Sequence, residues 1–483
     1  MLEISSLEPR LVWEQFDAIT KIPRPSKREE KIISWLIDFA KQHNLEYQRD
    51  KIGNVVIRAA ATPSYEDRPT IILQSHVDMV CEKNSDVEFD FDKDPIRTRI
   101  VDGWVKADGT TLGADCGIGM AAALAVLIDP TVEHGPIEAL FTVDEETGLT
   151  GAFELEDGML KGKHLINLDS EDEGELFIGC AGGIDTVATF HYQDATSPLS
   201  YCFFRVDVSD LQGGHSGDDI NKGRANSNKC VARLLWEGMN SFDLRLCYFD
   251  GGNLRNAIPR EAYAIFGVPK TLRDSFLESY HLFESDMHSE FRLREPNFKI
   301  SLNEMPHIDY MIDLNCQTAL INALVGLPNG VIAMSAAVEG LVETSTNLAS
   351  VKFEGKGKIV VTTSQRSSVE SAKTYAMQMV ESVFTLAGAD VTHSDGYPGW
   401  APNPNSELLR LTSESYLSLF GQEPLVKAIH AGLECGLFLE KYPELDMISF
   451  GPTLRGVHSP DERLEIATVD KFWRLLCDTL KRI

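Results

Sequence analysis

Basic residues are scarce in this chain: 45 Lys and Arg stand against 73 Asp and Glu, a formal net charge of −28 at pH 7. That balance excludes nucleic acid as a partner, since gripping a phosphate backbone takes a basic surface that displaces its counterions. Long apolar runs are missing too. No window approaches the ~20 residues that a membrane-spanning helix needs, so no membrane association is expected. The opening segment MLEISSLEPRLVWEQF carries early acids and lacks the basic head and apolar stretch of an export signal. None of the nine cysteines forms a CxxC pair, which fits reduced, mostly buried thiols. These absences predict a soluble, cytoplasmic protein. Acidity by itself names no substrate. Clustered carboxylates nevertheless repel one another unless cations neutralise them.

A chain of 483 residues exceeds the roughly 250–300 at which one core usually stops growing, so two domains are expected. Apolar periodicity predicts helices over 9–22 and 27–42, broken apart by Pro23 and Pro25. Strands follow at 53–59 and 69–80, the second an almost continuous apolar run of the kind a strand covered on both faces requires. A hairpin centred on Asp108–Gly109, an Ala-rich helix over 113–128, and strands at 137–143 and 164–168 come next. From about Gly183 to Thr392 the pattern changes to alternating strands with interspersed helices, and a strand-loop-helix order recurs within it. The expectation is an α/β catalytic domain formed by 1–186 and 395–483, with a central mixed sheet flanked by helices. An inserted α+β domain of two similar halves interrupts it at 187–394.

The chemistry-bearing residues stand at strand ends, where ligand sites of open α/β sheets gather. His76 and Asp78 form His-Val-Asp after the buried strand; two apart in extended backbone, they point the same way. A metal-binding imidazole commonly hands its second nitrogen to a carboxylate, a part that Asp78 could play. Glu145 and Glu146 are adjacent and in an extended segment face opposite directions, so one could bind metal while the other takes a proton from water. Asp115 in Gly-Ala-Asp-Cys-Gly has glycines that let the backbone fold closely around an ion. A phosphate-cradling loop is the competing reading, but the nucleotide-loop Lys is absent and an Asp would repel phosphate. Asp169 in NLDSED and His458 in GVHSPDE complete a set of two imidazoles and three carboxylates. Mixed N and O donors suit a pair of zinc, cobalt or manganese ions.

HVDMV, LGADCGIG, DEETGLTGA, NLDSED and GVHSPDE occur in an order that resembles the zinc-dependent exopeptidases, which include aminoacylase, glutamate carboxypeptidase and the dipeptidases. The resemblance runs the length of the chain and implies a zinc-exopeptidase-like fold with an inserted lid. By that resemblance Asp115 bridges two Zn²⁺, for which Co²⁺ or Mn²⁺ can substitute. His76 and Asp169 complete one ion, and Glu146 and His458 the other. Glu145 is then the general base and Asp78 the carboxylate that steadies His76. His215 in GGHSG resembles the lid histidine that contacts the oxyanion, and Asn256 and Arg366 the residues that hold the substrate's C-terminal carboxylate. Gly432 in HAGLECG resembles a backbone contact to substrate in the catalytic domain. Cys116 departs from the pattern, since relatives often carry Asp or Asn after the bridging Asp.

The implied activity is hydrolysis of unblocked dipeptides, Xaa-His and carnosine-type included, with small peptides as partners and a monomer or homodimer as the assembly. An aminoacylase or carboxypeptidase acting on N-blocked substrates is the related alternative. A binding protein that kept the fold and lost the chemistry is the other, and it would be expected to have lost Glu145 or a ligand.

Overall fold

The computed structural model describes residues 3–355 and 357–483. They fall into two compact units. The first comprises Met1–Gly179, Pro402–Ala428 and Leu433–Ile483, the second Cys180–Ala401 and Ile429–Gly432. The second thus starts before 187, extends past 394 and includes Gly432, which the sequence reading had put in the catalytic domain. The reason is local pairing: the Ala181 amide donates to the carbonyls of Ile429 and Ala431 (3.1 and 3.0 Å), tying 429–432 to the start of the strand Gly182–His191.

An eight-stranded mixed sheet forms the centre of the first unit. Ile71–His76 lies between Ile137–Thr142 and His164–Asn167, parallel to both, and Asp446–Ser449 runs parallel to His164–Asn167. Val55–Ala59 and Glu46–Arg49 extend one side antiparallel. All six residues of Ile71–His76 are buried, as its apolar run requires. The helix Ala114–Ile128 is apolar nearly all round and buried along its length, which a helix of that character demands. Among the described residues no helix is long and apolar enough to cross a membrane.

The expected hairpin exists one turn earlier than placed. Thr98–Val101 pairs with Trp104–Ala107 through Asp102–Gly103, both at positive φ (49° and 83°), so the first Asp-Gly of the sequence makes the turn and the second lies beyond the strand. This hairpin continues into Arg463–Glu465 and Leu454–Arg455, a four-stranded sheet that anchors both ends of the loop bearing His458.

The second unit holds a nine-stranded sheet, eight strands of which form two copies of one β-α-β-β-α-β plan, with Gly330–Met334 as the ninth against Val342–Phe353. One copy uses Tyr201–Ser209, Arg245–Gly251, Ala262–Pro269 and Lys299–Met305, with helices Ser227–Phe242 and Arg273–Phe291. The other uses Gly182–His191, Val342–Phe353, Lys358–Ser367 and Asp390–His393, with helices Leu314–Gly326 and Glu370–Leu386. In both, the fourth strand pairs with the first, the first with the third and the third with the second. The second strands meet at Gly251 and Val351, joining the copies edge to edge. Apolar side chains of sheet and helices, Phe204, Phe266 and Phe276 among them, close the core.

Candidate metal centre

Three parallel strands deliver their next residues to one edge of the first unit's sheet. Ile71–His76 ends on His76, Ile137–Thr142 leads to Glu145 and Glu146, and His164–Asn167 leads to Asp169. Beneath them a chain of side-chain hydrogen bonds crosses the sheet. Glu434, a buried carboxylate, accepts from Gln74 and Thr142 (2.6 and 2.8 Å), the Gln74 carbonyl accepts from Asn167 (2.5 Å), and Asn167 accepts from Ser449 (2.5 Å). Both bonds to Glu434 fall on Oε2, its Oε1 being buried without a hydrogen-bond partner, and linked networks of this kind fix side chains in a low dielectric. Gln74 and Asn167 stand two residues before His76 and Asp169, so the faces that carry those two side chains are braced from below.

Asp115 is the hub. Its Oδ1 lies 3.0 Å from His76 Nε2, which is itself 3.4 Å from Asp169 Oδ1. Its Oδ2 lies 3.2 Å from His458 Nε2, which is 2.9 Å from Glu146 Oε2. One carboxylate therefore faces two donor groups, one oxygen to each. Asp115 sits at the start of its helix with non-helical φ and ψ of −82° and 116°, and a cis peptide joins it to Cys116. The loop before it is stitched by two buried charges. Glu462 accepts from the amides of Leu112, Gly113 and Ala114 (2.7, 3.0 and 2.7 Å). Arg24 donates to the carbonyls of Val77, Asp78 and Gly113. A Cβ at Gly113 would stand 2.6 Å from the Arg24 guanidinium, and φ is +68° there, so glycine is required on both counts.

Asp78 ties His76 to the neighbouring peptide. Fully buried, it approaches His76 Nδ1 at 3.3 Å through Oδ1. That oxygen also accepts from the Glu145 amide (3.0 Å), while Oδ2 accepts from the Glu146 amide (3.2 Å) and Ser26 (2.7 Å). Glu145–Gly148 forms a single helical turn rather than the extended segment expected, entered through Asp144 at φ 49°. Adjacent side chains on such a turn diverge by ~100°, still enough to separate the tasks of Glu145 and Glu146.

The electrostatics are those of a cation site. Burial works against charge on His76, but Asp169, Asp115 and Asp78 outweigh it and hold the imidazole well above its ordinary range. Contacts with Asp115 and Glu146 push His458 up to about 11. Burial raises Asp169 to about 6 and drives Glu145 well up. In Asp115 burial is overcome by the two imidazoles, which pull the carboxyl down. Glu146 Oε1 and Asp169 Oδ1 are buried with no hydrogen-bond partner. Orphaned anionic oxygens inside a ring of acids are costly unless a cation meets them, so the donor set fits a pair of divalent ions. Cys116 Sγ also lies within this group. It donates to the Leu168 carbonyl (3.4 Å), and burial raises its thiol above the ordinary range.

In the second unit the four remaining residues converge. His215 and Ala257 are paired strand residues, and the Ser216 amide donates to the Asn256 carbonyl (2.8 Å). Arg366 Nε donates to Ser216 Oγ (3.4 Å) and its Nη1 to the Tyr397 hydroxyl (2.8 Å), whose ring packs on Gly432. The amides of Gly217 and Asp218 point at His215 Nδ1 (3.3 and 3.2 Å). Asp218 Oδ2 is 3.4 Å from the same nitrogen, but two N–H donors fix Nδ1 as the acceptor and leave the proton on Nε2. Arg366 is 7% exposed, and its partners are neutral hydroxyls. Sequence reading missed Glu462, Arg24, Glu434 and Tyr397. Glu462 stood in view four residues after His458, inside a loop that looked merely polar.

Residues 72–482 match the family model described as peptidase family M20/M25/M40. The chain is 43% identical over 483 residues to the cytosol non-specific dipeptidase of Escherichia coli (strain K12), covering 100% of this chain and 99% of that protein. Among solved structures it is similar to the aminoacylhistidine dipeptidase of Vibrio alginolyticus, with a TM-score of 0.95, 44% identity, and coverage of 100% of this chain and 98% of that one. Aminopeptidase PepT from Bacillus cereus shares the fold at a TM-score of 0.59 and 16% identity, with 99% of both chains covered.

Proposed function

The chain belongs to peptidase family M20/M25/M40, and from that premise we propose that it hydrolyses the peptide bond of unblocked dipeptides, Xaa-His and carnosine-type among them, with two zinc ions as resident cofactors in the cytoplasm. The observation that carries the reading is the placement of Asp115, one oxygen toward His76 and Asp169 and the other toward His458 and Glu146. The full-length likeness to two dipeptidases directs it to dipeptides.

When bound, a cation pair polarises the scissile carbonyl and makes water acidic enough to attack it. His76, Asp115 and Asp169 would hold one ion, and His458, Asp115 and Glu146 the other. Glu145 takes the proton from the attacking water and returns it to the departing amine. Asp78 orients His76 and, through the same carboxylate, the peptide that carries Glu145 and Glu146. His215, with its proton on Nε2, donates to the oxyanion, a contact whose loss costs roughly 10²–10³ in rate. Arg366 and Asn256 receive the C-terminal carboxylate. Arg366 suits this because a guanidinium buried without a carboxylate partner among the described residues awaits an anion, and its planar fork matches one. Gly432 belongs to the same cluster.

The test is a substrate panel on purified protein supplied with zinc. Ala-His and β-Ala-His should be cleaved and N-acetyl amino acids left intact. Activity confined to the acetylated compounds would transfer the chain to the aminoacylase reading, and cleavage of neither would favour a binding protein.

A further inference from the structure

Tyr397 has an unusual degree of local support for a partly buried side chain outside the metal centre. Its amide and carbonyl both pair with Gly183 (2.8 and 3.0 Å), and Lys373 Nζ donates to the same carbonyl (2.7 Å). Its ring lies against two glycines: a Cβ at Gly183 would stand 2.7 Å from Tyr397 Cζ, and one at Gly432 would stand 2.8 Å from Cε2. Neither glycine has the positive φ that would otherwise explain it, so the space itself is what they provide. This framework puts the hydroxyl on Arg366 Nη1 at 2.8 Å.

A phenol has one donor and an acceptor oxygen. Here the oxygen is occupied by the guanidinium, and among the described residues the proton has no acceptor. Burial raises the Tyr397 phenol above its ordinary range, which keeps that proton in place. Arg366 is in the same condition: Nε and Nη1 are engaged by neutral hydroxyls, among the described residues no carboxylate lies within ion-pair distance, and Asp185 is taken by Arg255 at 2.9 Å. Two adjacent donors without an anion define a site for a planar, singly charged one.

We propose that Tyr397 is a specificity-determining residue that donates its hydroxyl proton to the substrate's C-terminal carboxylate alongside Arg366, so that guanidinium and phenol together select a free acid over an amide. Gly183 and Gly432 serve this by making room for the ring. The inference rests on the reading of Arg366 as the carboxylate clamp and adds a second donor to it. A contact to a part of the substrate that does not react acts on binding in ground and transition states alike, so its loss raises KM and spares kcat.

The experiment compares Tyr397→Phe, Gly183→Ala and Arg366→Ala with the parent enzyme, fully loaded with metal, on Ala-His and on its C-terminal amide. Thermal melting is recorded for each protein. Tyr397→Phe should raise KM for Ala-His about 10-fold or more, the loss expected of a hydrogen bond to a charged group. Its kcat should change by less than about 3-fold, and its kinetics on the amide should not move. Gly183→Ala, whose Cβ would stand 2.7 Å from Tyr397 Cζ and so pushes the ring aside, should show the same selectivity and stands in if the Phe variant does not fold. No change in KM for Ala-His, or an equal change on acid and amide, overturns the role of Tyr397. If Arg366→Ala discriminates acid from amide while both other variants do not, the clamp stands and only the second donor falls. If Arg366→Ala fails to discriminate, the clamp falls and the inference with it.

Discussion

Replacing Asp78 by Asn removes one charge at nearly constant volume from a fully buried position that serves four groups at once. In the parent, Oδ1 faces His76 Nδ1 and the Glu145 amide, and Oδ2 faces the Glu146 amide and Ser26. An Asn must turn its NH₂ to one side or the other. Facing His76 and Glu145 it would confront two donors. Facing Glu146 it confronts one, because the Ser26 hydroxyl can rotate to accept. The second orientation wins and leaves one buried amide unpaired, at a cost of about 1–3 kcal/mol in stability. His76 meanwhile keeps an oxygen partner but loses an anionic one, for which the expected loss is roughly 10–100-fold in metal affinity or activity. His76, Ser26 and the Glu145 amide outweigh burial and hold the Asp78 carboxyl below its ordinary value, so its contribution is present in full at neutral pH and is lost only in acid. The assays are the urea midpoint of the metal-free protein, zinc affinity by competition with a chelating dye, and kcat on Ala-His at saturating zinc, all near pH 7. A variant with parental zinc affinity and kcat within twofold of the parent would refute the assignment of Asp78 as the group that orients this edge of the site.

Glu145→Gln should lower kcat by about 10²–10⁴ while both ions are retained, since Glu145 handles the proton and is not counted among the ligands; loss of metal would make it a ligand instead. Zinc must displace protons from His76 and His458, both held above their ordinary range, so apparent affinity should climb as pH rises from 6 toward 9, and titrations in buffers of different ionisation heat should show proton release. A flat pH profile would contradict the imidazole-carboxylate geometry. Glu462→Gln presents an NH₂ to at least one of the three loop amides that the carboxylate now satisfies, and should cost about 1–3 kcal/mol by urea midpoint together with weakened zinc binding. Unchanged stability would show that the loop holds Asp115 without it.

Three of the proposed ligands were legible because each follows a strand with a clear pattern: an almost continuous apolar run before His76, IEALFTV before Glu146, HLINL before Asp169; Asp115 and His458 lie on loops and were legible only by their motifs. Strand ends fix where side chains emerge, and periodicity reveals strand ends. What periodicity does not encode is the conformation of the turn that follows. The stretch after Thr142 enters a helical turn through a left-handed Asp144, and nothing in DEET distinguishes that from an extended exit. The hairpin error has a similar origin, since two Asp-Gly pairs six residues apart carry the same turn preference and only strand pairing chooses between them. Arg24, Glu462 and Glu434 act on backbone amides, carbonyls or side chains far away in sequence, and such partners leave no local spacing to read. The doubled plan of the second unit was visible only as a recurring strand-loop-helix order, because one copy is inserted inside the other and the repeat has no fixed period.

Metal content per chain tests the central claim most directly. Protein purified with zinc supplied, dialysed and analysed by elemental mass spectrometry should carry two ions, and His458→Ala should carry one, because Asp115 Oδ1, His76 and Asp169 remain intact. One ion in the parent protein, or two still bound after His458→Ala, would contradict a centre in which Asp115 is shared between two sites.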